Sequence, residues 1–199
     1  MDFLSRCIDL ASDLGASVVS LWAGKAPGGV VGDEKNGSDA KNVELLFERL
    51  CAGLRTILQR GRDQGVQIAF EPEPGMFIER PSGFERVCQE LGTEGEELGL
   101  CLDVGHLLCT GDLPVETVIS RYADQLRMVH LDDIKDGVHI HRMFGEGDLD
   151  LAKTMGALVQ VGYSGIAAVE LSRDAHRGPE AAAQAMSHLR KALTGAAAL

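Results

Sequence analysis

Two patterns of apolar positions alternate along the chain. In one, apolar residues return every three or four positions, which predicts helices with one buried side; in the other, short continuous apolar runs predict strands buried on both faces. The predicted helices are residues 2–14, 40–64, 83–94, 114–123, 149–161 and 179–195. The predicted strands are residues 16–23, 66–71, 98–106, 126–131 and 165–171. Buried strands separated by helices are typical of parallel sheets covered by helices, so we predict an α/β chain of repeated β/α units, in a single domain over 1–199.

Capping and loop residues refine these boundaries. Ser82, with Glu85 three residues later, is expected to cap the third helix. Pro114 is expected to begin the fourth helix. Two long polar segments, 24–39 and 132–148, are predicted loops, and long loops in compact domains are usually functional or mobile.

Composition and charge narrow the class of protein. Hydrophobic residues make up 45% of the chain and charged residues 25%, the balance of a globular domain, and no stretch approaches the roughly 20 apolar residues of a membrane span. The net charge of −11 would repel a polyanion, so we expect no nucleic-acid partner. The five cysteines form no C-x-x-C motif, which favours reduced, mostly buried thiols in a cytoplasmic protein.

Four consecutive predicted strands end in side chains of the kinds that bind metals. These residues are Glu71, Asp103, His130 and Glu170. The carboxyl ends of parallel strands share one edge of the sheet, so we expect the four side chains to lie together there. Taken singly, each carboxylate is more often solvated or a cap, and a lone histidine is more often structural. Their coincidence favours a metal centre, because carboxylates among apolar neighbours need a compensating charge.

The donor set indicates the kind of ion. Carboxylate oxygens predominate and are joined by one imidazole, which suits Mn²⁺, Mg²⁺ or Co²⁺, although Zn²⁺ also accepts these ligands. We therefore predict a divalent-metal cofactor at this edge of the sheet.

The polar loop after the fourth strand carries further candidates. His139 and His141 alternate, so an extended segment would place both imidazoles on one side, where they fit a second metal or substrate contacts. Arg142 is a candidate ligand for an anion or a hydroxyl group. His106 follows Asp103 by three residues and is a fourth candidate. An exposed polar loop is an equally good interpretation of the two alternating histidines, and both remain open.

At these residues the sequence resembles the xylose isomerase-like TIM-barrel superfamily. That superfamily includes sugar epimerases and isomerases, inosose dehydratases and endonuclease IV. The resembling motifs are AFEPEPG (69–75), CLDVGH (101–106), VHLDD (129–133), HRMFGEGDLD (141–150) and AVEL (168–171). They occur in the family's order and cover most of the chain.

The resemblance implies a metal-ligand set and an acid/base pair. Glu71, Asp103, His130 and Glu170 match the four metal ligands of the family. Glu71 and Glu170 also match the two residues that exchange protons with the substrate in the epimerases. The family resemblance and the positions at the strand ends therefore indicate the same four residues as metal ligands.

The resemblance also implies roles around the metal. His106 matches a substrate contact or second-metal ligand, and Arg142 resembles a substrate-binding arginine of the epimerase branch. His141 falls where the endonuclease branch has a ligand, whereas His139 stands where that branch has an aspartate. Trp22 takes the place of another histidine ligand of the endonuclease. This departure and the net charge both argue against an endonuclease.

A second departure concerns the number of strands. Five predicted strands are fewer than the eight of a closed barrel, and the match begins at the helix before the family's fourth strand. The expected fold is therefore a partial (β/α)₈ TIM barrel of about five C-terminal β/α units, with open strand edges. Two explanations remain open: the protein starts further upstream, or a partner such as a further copy in a homo-oligomer covers the edges.

The expected activity is metal-dependent isomerisation or epimerisation of a sugar or sugar phosphate, with proton transfer through an enediolate. Its partner would be a small sugar or polyol, with no nucleic acid and no membrane. The first alternative is a metal-dependent dehydratase of a polyol ketone of the inosose type. The second is a catalytically inactive barrel relative that serves as a binding or accessory protein, and an endonuclease ranks last.

Overall fold

The computed structural model describes residues 2–29, 32 and 40–196, and the chain divides into two compact units. The first unit is Met1–Cys101 and the second is Leu102–Leu199. Each unit is built from parallel strands and helices, so the predicted α/β class is confirmed. The single domain over 1–199 stays a prediction.

The first unit contains three helices and two complete strands in its described part. These are α1 (Asp2–Asp13), β1 (Val18–Leu21), α2 (Ala40–Gln64), β2 (Gln67–Phe70) and α3 (Pro81–Leu91). The strand β3 (Gly99–Asp103) begins in this unit and ends in the second. β1 pairs in parallel with β2, and β2 pairs in parallel with β3. Parallel pairing requires a crossover helix, and α2 and α3 supply the two crossovers.

Aromatic and β-branched side chains fill the core of the first unit. The largest fully buried members are Ile8, Phe47, Ile57, Ile68, Phe70 and Phe84. The rings of Phe47 and Phe77 meet edge to face, with their centroids 5.0 Å apart. The guanidinium of Arg86 lies 3.7 Å from the centroid of the Phe47 ring, so one aromatic side chain joins α2, α3 and the segment after β2.

The described part of the second unit contains two parallel strands, an antiparallel hairpin and four α-helices. The elements are α4 (Val104–Thr110), α5 (Val115–Arg121), β4 (Leu126–Leu131), β5 (Asp133–Lys135), β6 (Val138–Arg142), α6 (Leu151–Gln160), β7 (Ile166–Val169) and α7 (Gly178–Ala196). β4 and β7 pair in parallel, whereas β5 and β6 form an antiparallel hairpin. Its core includes Leu102, Leu107, Ile119, Val129, Leu131 and Ile134.

The sequence prediction was wrong about the end of the third strand. The apolar run predicted a strand through His106, but the strand ends at Asp103 and α4 begins at Val104. The cause is a side-chain cap: the backbone N–H of His106 donates to Asp103 Oδ1 at 2.9 Å. Asp is a favoured N-cap residue, so the same carboxylate ends the strand and starts the helix.

Three other predicted boundaries need correction. The third helix begins at Pro81 with Arg80 as its N-cap, so the predicted Ser82 cap is wrong. Pro114 is the N-cap of α5 rather than its first residue. The predicted loop 132–148 contains the β5–β6 hairpin. Of the loop 24–39, residues 30, 31 and 33–39 lie outside the described residues.

The helices and the cysteines can be compared with what the composition predicted. Among the described helices, none combines the length and the apolar character that crossing a membrane requires. No disulfide joins the cysteines, of which Cys51 and Cys101 are buried and the other three are partly exposed. Fewer of the thiols are buried than the sequence suggested, and their reduced state stays a prediction.

Candidate metal centre

The pairing of β4 with β7 brings His130 and Glu170 together. His130 is the penultimate residue of β4, and Glu170 directly follows β7. The parallel register continues past the strand end, because the backbone N–H of Glu170 donates to Leu131 O at 3.0 Å. As a result His130 Nδ1 lies 3.1 Å from Glu170 Oε2. Two strand-end residues predicted from the sequence are therefore direct neighbours.

Asp103 joins this pair from the end of β3. Its Oδ1 atom accepts the capping hydrogen bond of α4, which fixes the carboxylate. Its Oδ2 atom lies 3.9 Å from His130 Nδ1 and 3.9 Å from His106 Nε2. Asp103, His130 and Glu170 belong to one group whose ligand atoms all lie within 4.8 Å of one another. That spacing suits several donors around one cation.

The charge state of Glu170 favours cation binding. The hydrogen bond from His130 lowers the pKa of Glu170 from its ordinary value of 4.5, although partial burial opposes this shift. The neighbouring His141, His130 and His106 lower the pKa further. Glu170 is therefore ionised at neutral pH and available as a ligand or a base.

Three histidines form a second cluster beside this group. His106 lies in α4, while His139 and His141 lie on the same face of β6, as the alternation predicted. Their ring centroids are 4.8 Å (His106–His139), 5.7 Å (His106–His141) and 5.1 Å (His139–His141) apart. His106 Nε2 lies 3.1 Å from His139 Nε2. Partial burial and then the neighbouring His141 lower the pKa of His139, which keeps this imidazole neutral and able to act as a ligand.

Arg142 lies on the opposite face of β6 from the two histidines of that strand, His139 and His141. It pairs with Asp133 in the hairpin register and directly follows His141. The reason is that consecutive side chains of a strand point to opposite faces. Its Nε atom is buried and has no hydrogen-bond partner among the described residues. Its predicted role in substrate binding stays a prediction.

Glu71 lies in the first unit, directly after β2. It is buried, with 4% of its surface exposed, and its backbone N–H donates to Leu21 O at 2.8 Å. This hydrogen bond extends the β1–β2 ladder by one residue. The predicted position at the end of a strand is thus found, and the predicted role as a ligand and acid/base stays a prediction.

Two buried carboxylates in the second unit were not singled out from the sequence. Asp132 and Asp133 directly follow β4, and neither is exposed to solvent. Asp132 Oδ2 lies 2.9 Å from His141 Nδ1, and His141 Nε2 lies 4.0 Å from Glu170 Oε1. The signals in the sequence are the VHLDD motif (129–133) and the position of the two aspartates immediately after a buried strand, which is also common in exposed turns.

Asp133 organises the loop that follows the hairpin. Its carboxylate accepts hydrogen bonds from the backbone N–H groups of Ile134, Gly145, Gly147 and Leu149, at 2.8–3.0 Å. A Cβ atom at residue 147 would overlap the carboxylate, so glycine is required there. Four N–H donors compensate the buried charge, so Asp133 has a structural explanation that needs no cation.

The donor set fits a divalent cation. Within the second unit, Asp103 and Glu170 offer carboxylate oxygens and His130 offers an imidazole nitrogen. The combination of hard oxygen donors with imidazole suits Mn²⁺, Mg²⁺, Co²⁺ or Zn²⁺. Carboxylate and histidine side chains that meet at the ends of parallel strands, in a chain of β/α units, are typical of the sites of β/α barrel proteins.

Comparison with known proteins agrees with this class. Residues 1–192 match the family described as xylose isomerase-like TIM barrel, and the chain belongs to this family. The family resemblance and the partial-barrel fold predicted from the sequence are thereby confirmed.

Individual relatives are more distant. An inosose dehydratase from Lacticaseibacillus casei is 28% identical over 145 residues, which cover 64% of this chain and 48% of the relative. The chain thus spans about half the length of the curated relatives it matches. The structure of 3-keto-D-glucoside 4-epimerase from E. coli is similar with a TM-score of 0.75 at 18% identity, covering 94% of this chain and 69% of that chain. The IOLI protein, solved with a bound zinc atom, is similar with a TM-score of 0.67 at 20% identity, covering 98% and 68%.

Proposed function

We propose that the protein is a metal-dependent isomerase or epimerase of a sugar or sugar phosphate. The observation that carries the proposal is the group of Asp103, His130 and Glu170, whose donor atoms converge at the ends of three strands. Sugar epimerases among the solved proteins of similar fold support the same chemistry. Because the chain belongs to a family that contains enzymes, the ionised carboxylate of Glu170, 3.1 Å from His130, is a candidate for catalysis.

The metal would be held by Asp103, His130 and Glu170, and the sequence resemblance adds Glu71 as a fourth ligand. When bound, a divalent cation supplies Lewis acidity that polarises a substrate carbonyl and acidifies the adjacent carbon-bound proton. The IOLI protein, which has a similar fold, was solved with zinc, in support of a metal in this family.

Glu170 is the base in this proposal. Its lowered pKa keeps the carboxylate ionised, so it can accept the carbon-bound proton. Glu71, in its protonated form, would give a proton to the opposite face of the same carbon in an epimerisation, or the proton would be returned to the neighbouring carbon in an isomerisation. In the epimerisation Glu170 keeps the proton that it removed, and exchange with solvent restores both carboxyl groups. His141 Nε2, 4.0 Å from Glu170 Oε1, is placed to contact a substrate hydroxyl group beside the base.

A dehydratase is the second candidate, because the curated relatives are inosose dehydratases. Both reactions begin with removal of a proton next to a carbonyl, so the same Glu170 would serve. They differ afterwards: elimination of a β-hydroxyl group releases water, whereas epimerisation returns the proton. The product mass therefore separates the two.

The test uses the purified chain loaded with Mn²⁺ and incubated with a panel of ketoses, ketose phosphates and inososes. The proposal predicts isomeric products of unchanged mass, and Glu170→Gln should abolish their formation. Glu180→Gln, an exposed glutamate of α7, is the matched control and should remain fully active. Full activity in Glu170→Gln, or products lighter by one water, would overturn the epimerase proposal. A chain that holds no metal and turns over no substrate would instead support a binding or accessory protein.

A further inference from the structure

Asp132 is a fully buried carboxylate that the proposed mechanism leaves without a role. It lies between β4 and β5, and none of its surface is exposed. Neither carboxylate oxygen has a hydrogen-bond partner of good geometry among the described residues. Burial of a carboxylate without compensation is strongly unfavourable, so this position needs an explanation.

The surroundings of Asp132 hold the carboxylate in place. A Cβ atom added at Gly105, in the first turn of α4, would overlap both carboxylate oxygens. The carboxylate thus packs directly on the backbone of α4, and only glycine leaves room for it. The neighbouring Asp133 has different contacts, since its carboxylate accepts hydrogen bonds from four backbone N–H groups in the segment 134–149.

A proton donor lies within reach of Asp132. Asp132 Oδ2 is 2.9 Å from His141 Nδ1, a normal distance for a hydrogen bond between these atoms. On the far side of the ring, His141 Nε2 lies 4.0 Å from Glu170 Oε1. The imidazole therefore lies between a buried carboxylate and the candidate catalytic carboxylate.

We propose that Asp132 is a positioning residue that fixes His141 in the tautomer protonated at Nδ1. The carboxylate accepts the Nδ1 proton, which orients the ring and leaves the lone pair of Nε2 directed toward Glu170. Which nitrogen of a histidine is protonated depends on the hydrogen bond that the other nitrogen makes. His141 then presents an acceptor, rather than a donor, to a substrate hydroxyl group. The inference extends the proposed function but rests on the geometry of Asp132 and His141 alone.

The test is the tautomer of His141 in the metal-free protein, read by nitrogen–proton NMR correlations of labelled imidazoles at about pH 8, above the ordinary histidine pKa of about 6.5. The chain has six histidines, so His141→Gln identifies the signals by their loss. The wild-type protein should show the Nδ1–H pattern at His141. An Nε2–H pattern, or protonation of both nitrogens, would overturn the inference without bearing on substrate turnover.

Two variants separate positioning from folding. Asp132→Ala removes the acceptor and should shift His141 from the Nδ1–H to the Nε2–H pattern. Gly105→Ala keeps Asp132 but displaces its carboxylate, and it should cause the same shift even if Asp132→Ala does not fold. Asp124→Ala, an exposed aspartate, removes the same charge and should leave the Nδ1–H pattern intact. Retention of that pattern in a folded Asp132→Ala or Gly105→Ala protein would show that another group sets the tautomer.

Discussion

The strand ends of the two units differ in what they bury. In the first unit, β1 ends at Leu21 beside a cavity of about 490 Å³ with a mostly apolar lining that includes Trp22, Leu50 and Phe77. In the second unit, the strand ends bury Asp103, Asp132 and Asp133. Apolar burial stabilises by itself, whereas each buried carboxylate needs its own partner. The second unit therefore has the polar organisation expected of a functional site, whereas the strand end of β2 in the first unit buries a single carboxylate, Glu71.

The three aspartates of the second unit are compensated in different ways. Asp133 accepts four backbone N–H groups, and Asp103 accepts one from the start of α4. Asp132 faces an imidazole instead. The comparison teaches that burial alone does not identify a ligand, because the four backbone N–H groups that Asp133 accepts give this buried carboxylate a structural role.

Asp133→Ala tests the polar side of the comparison, and with Phe47→Ala it has the largest expected effect. The change leaves four backbone N–H groups of the loop without their acceptor, and partial access of water limits the penalty, so we expect a loss of about 4 kcal/mol in the free energy of unfolding. Urea denaturation measures it. Asp148→Ala in the same loop is the control and should have a much smaller effect, because Asp148 is exposed and pairs with Lys135 at the surface. Equal losses in the two variants would refute the anchoring role of Asp133.

Phe47→Ala tests the apolar side of the comparison. The variant removes a buried ring that packs on Phe77 and under Arg86, so we expect destabilisation by about 3–5 kcal/mol. Leu45→Ala, at an exposed position of the same helix, should change stability by less than about 0.5 kcal/mol. Metal affinity of the folded variant, measured by calorimetry at low temperature, should equal that of the wild type; a large loss would break the division of roles between the units.

Glu71→Gln asks whether the first unit supplies a ligand. If Glu71 binds the metal, as the sequence resemblance implies, the amide should weaken Mn²⁺ binding by at least about 100-fold, more than is typical for residues outside the ligand set. Glu79→Gln, a partly exposed glutamate of the same unit, is the control. Unchanged affinity in Glu71→Gln would confine the metal ligands to the second unit.

The smallest expected effect is the pH dependence of the stability that Glu170 contributes. The pKa of Glu170 is lower in the folded protein than its ordinary value of 4.5, chiefly through the hydrogen bond from His130. This contribution to stability is fully present above that value and is lost as the pH falls through the lower, folded pKa. The difference in melting temperature between wild-type and Glu170→Gln metal-free protein should therefore shrink on acidification below about pH 4.5. A difference that grows on acidification would contradict the assigned direction.

The sequence predicted which polar residues lie at the strand ends, because the pattern that marks them is local. An apolar run followed by Asp103, His130 or Glu170 is visible in the order of residues, and parallel strands place such residues on one edge. The alternation of His139 and His141 was equally readable, since side chains in an extended segment alternate.

The remaining features depend on side-chain contacts that the pattern of apolar and polar residues does not show. The apolar run continues through Val104, so only the capping bond of Asp103 shows that the strand stops there. The β5–β6 hairpin is set by Asp133, whose partners lie up to sixteen residues away. The role of Asp132 depends on Gly105 and His141, and their proximity cannot be derived from sequence spacing.

Metal content measures the central claim most directly. Purified wild-type protein, dialysed against a mixture of divalent ions and analysed by elemental mass spectrometry, should retain about one ion per chain. His130→Ala should lose it, and His176→Ala, at an exposed position, should retain it. A wild-type protein without stoichiometric metal, or a folded His130→Ala protein that keeps its ion, would contradict the account.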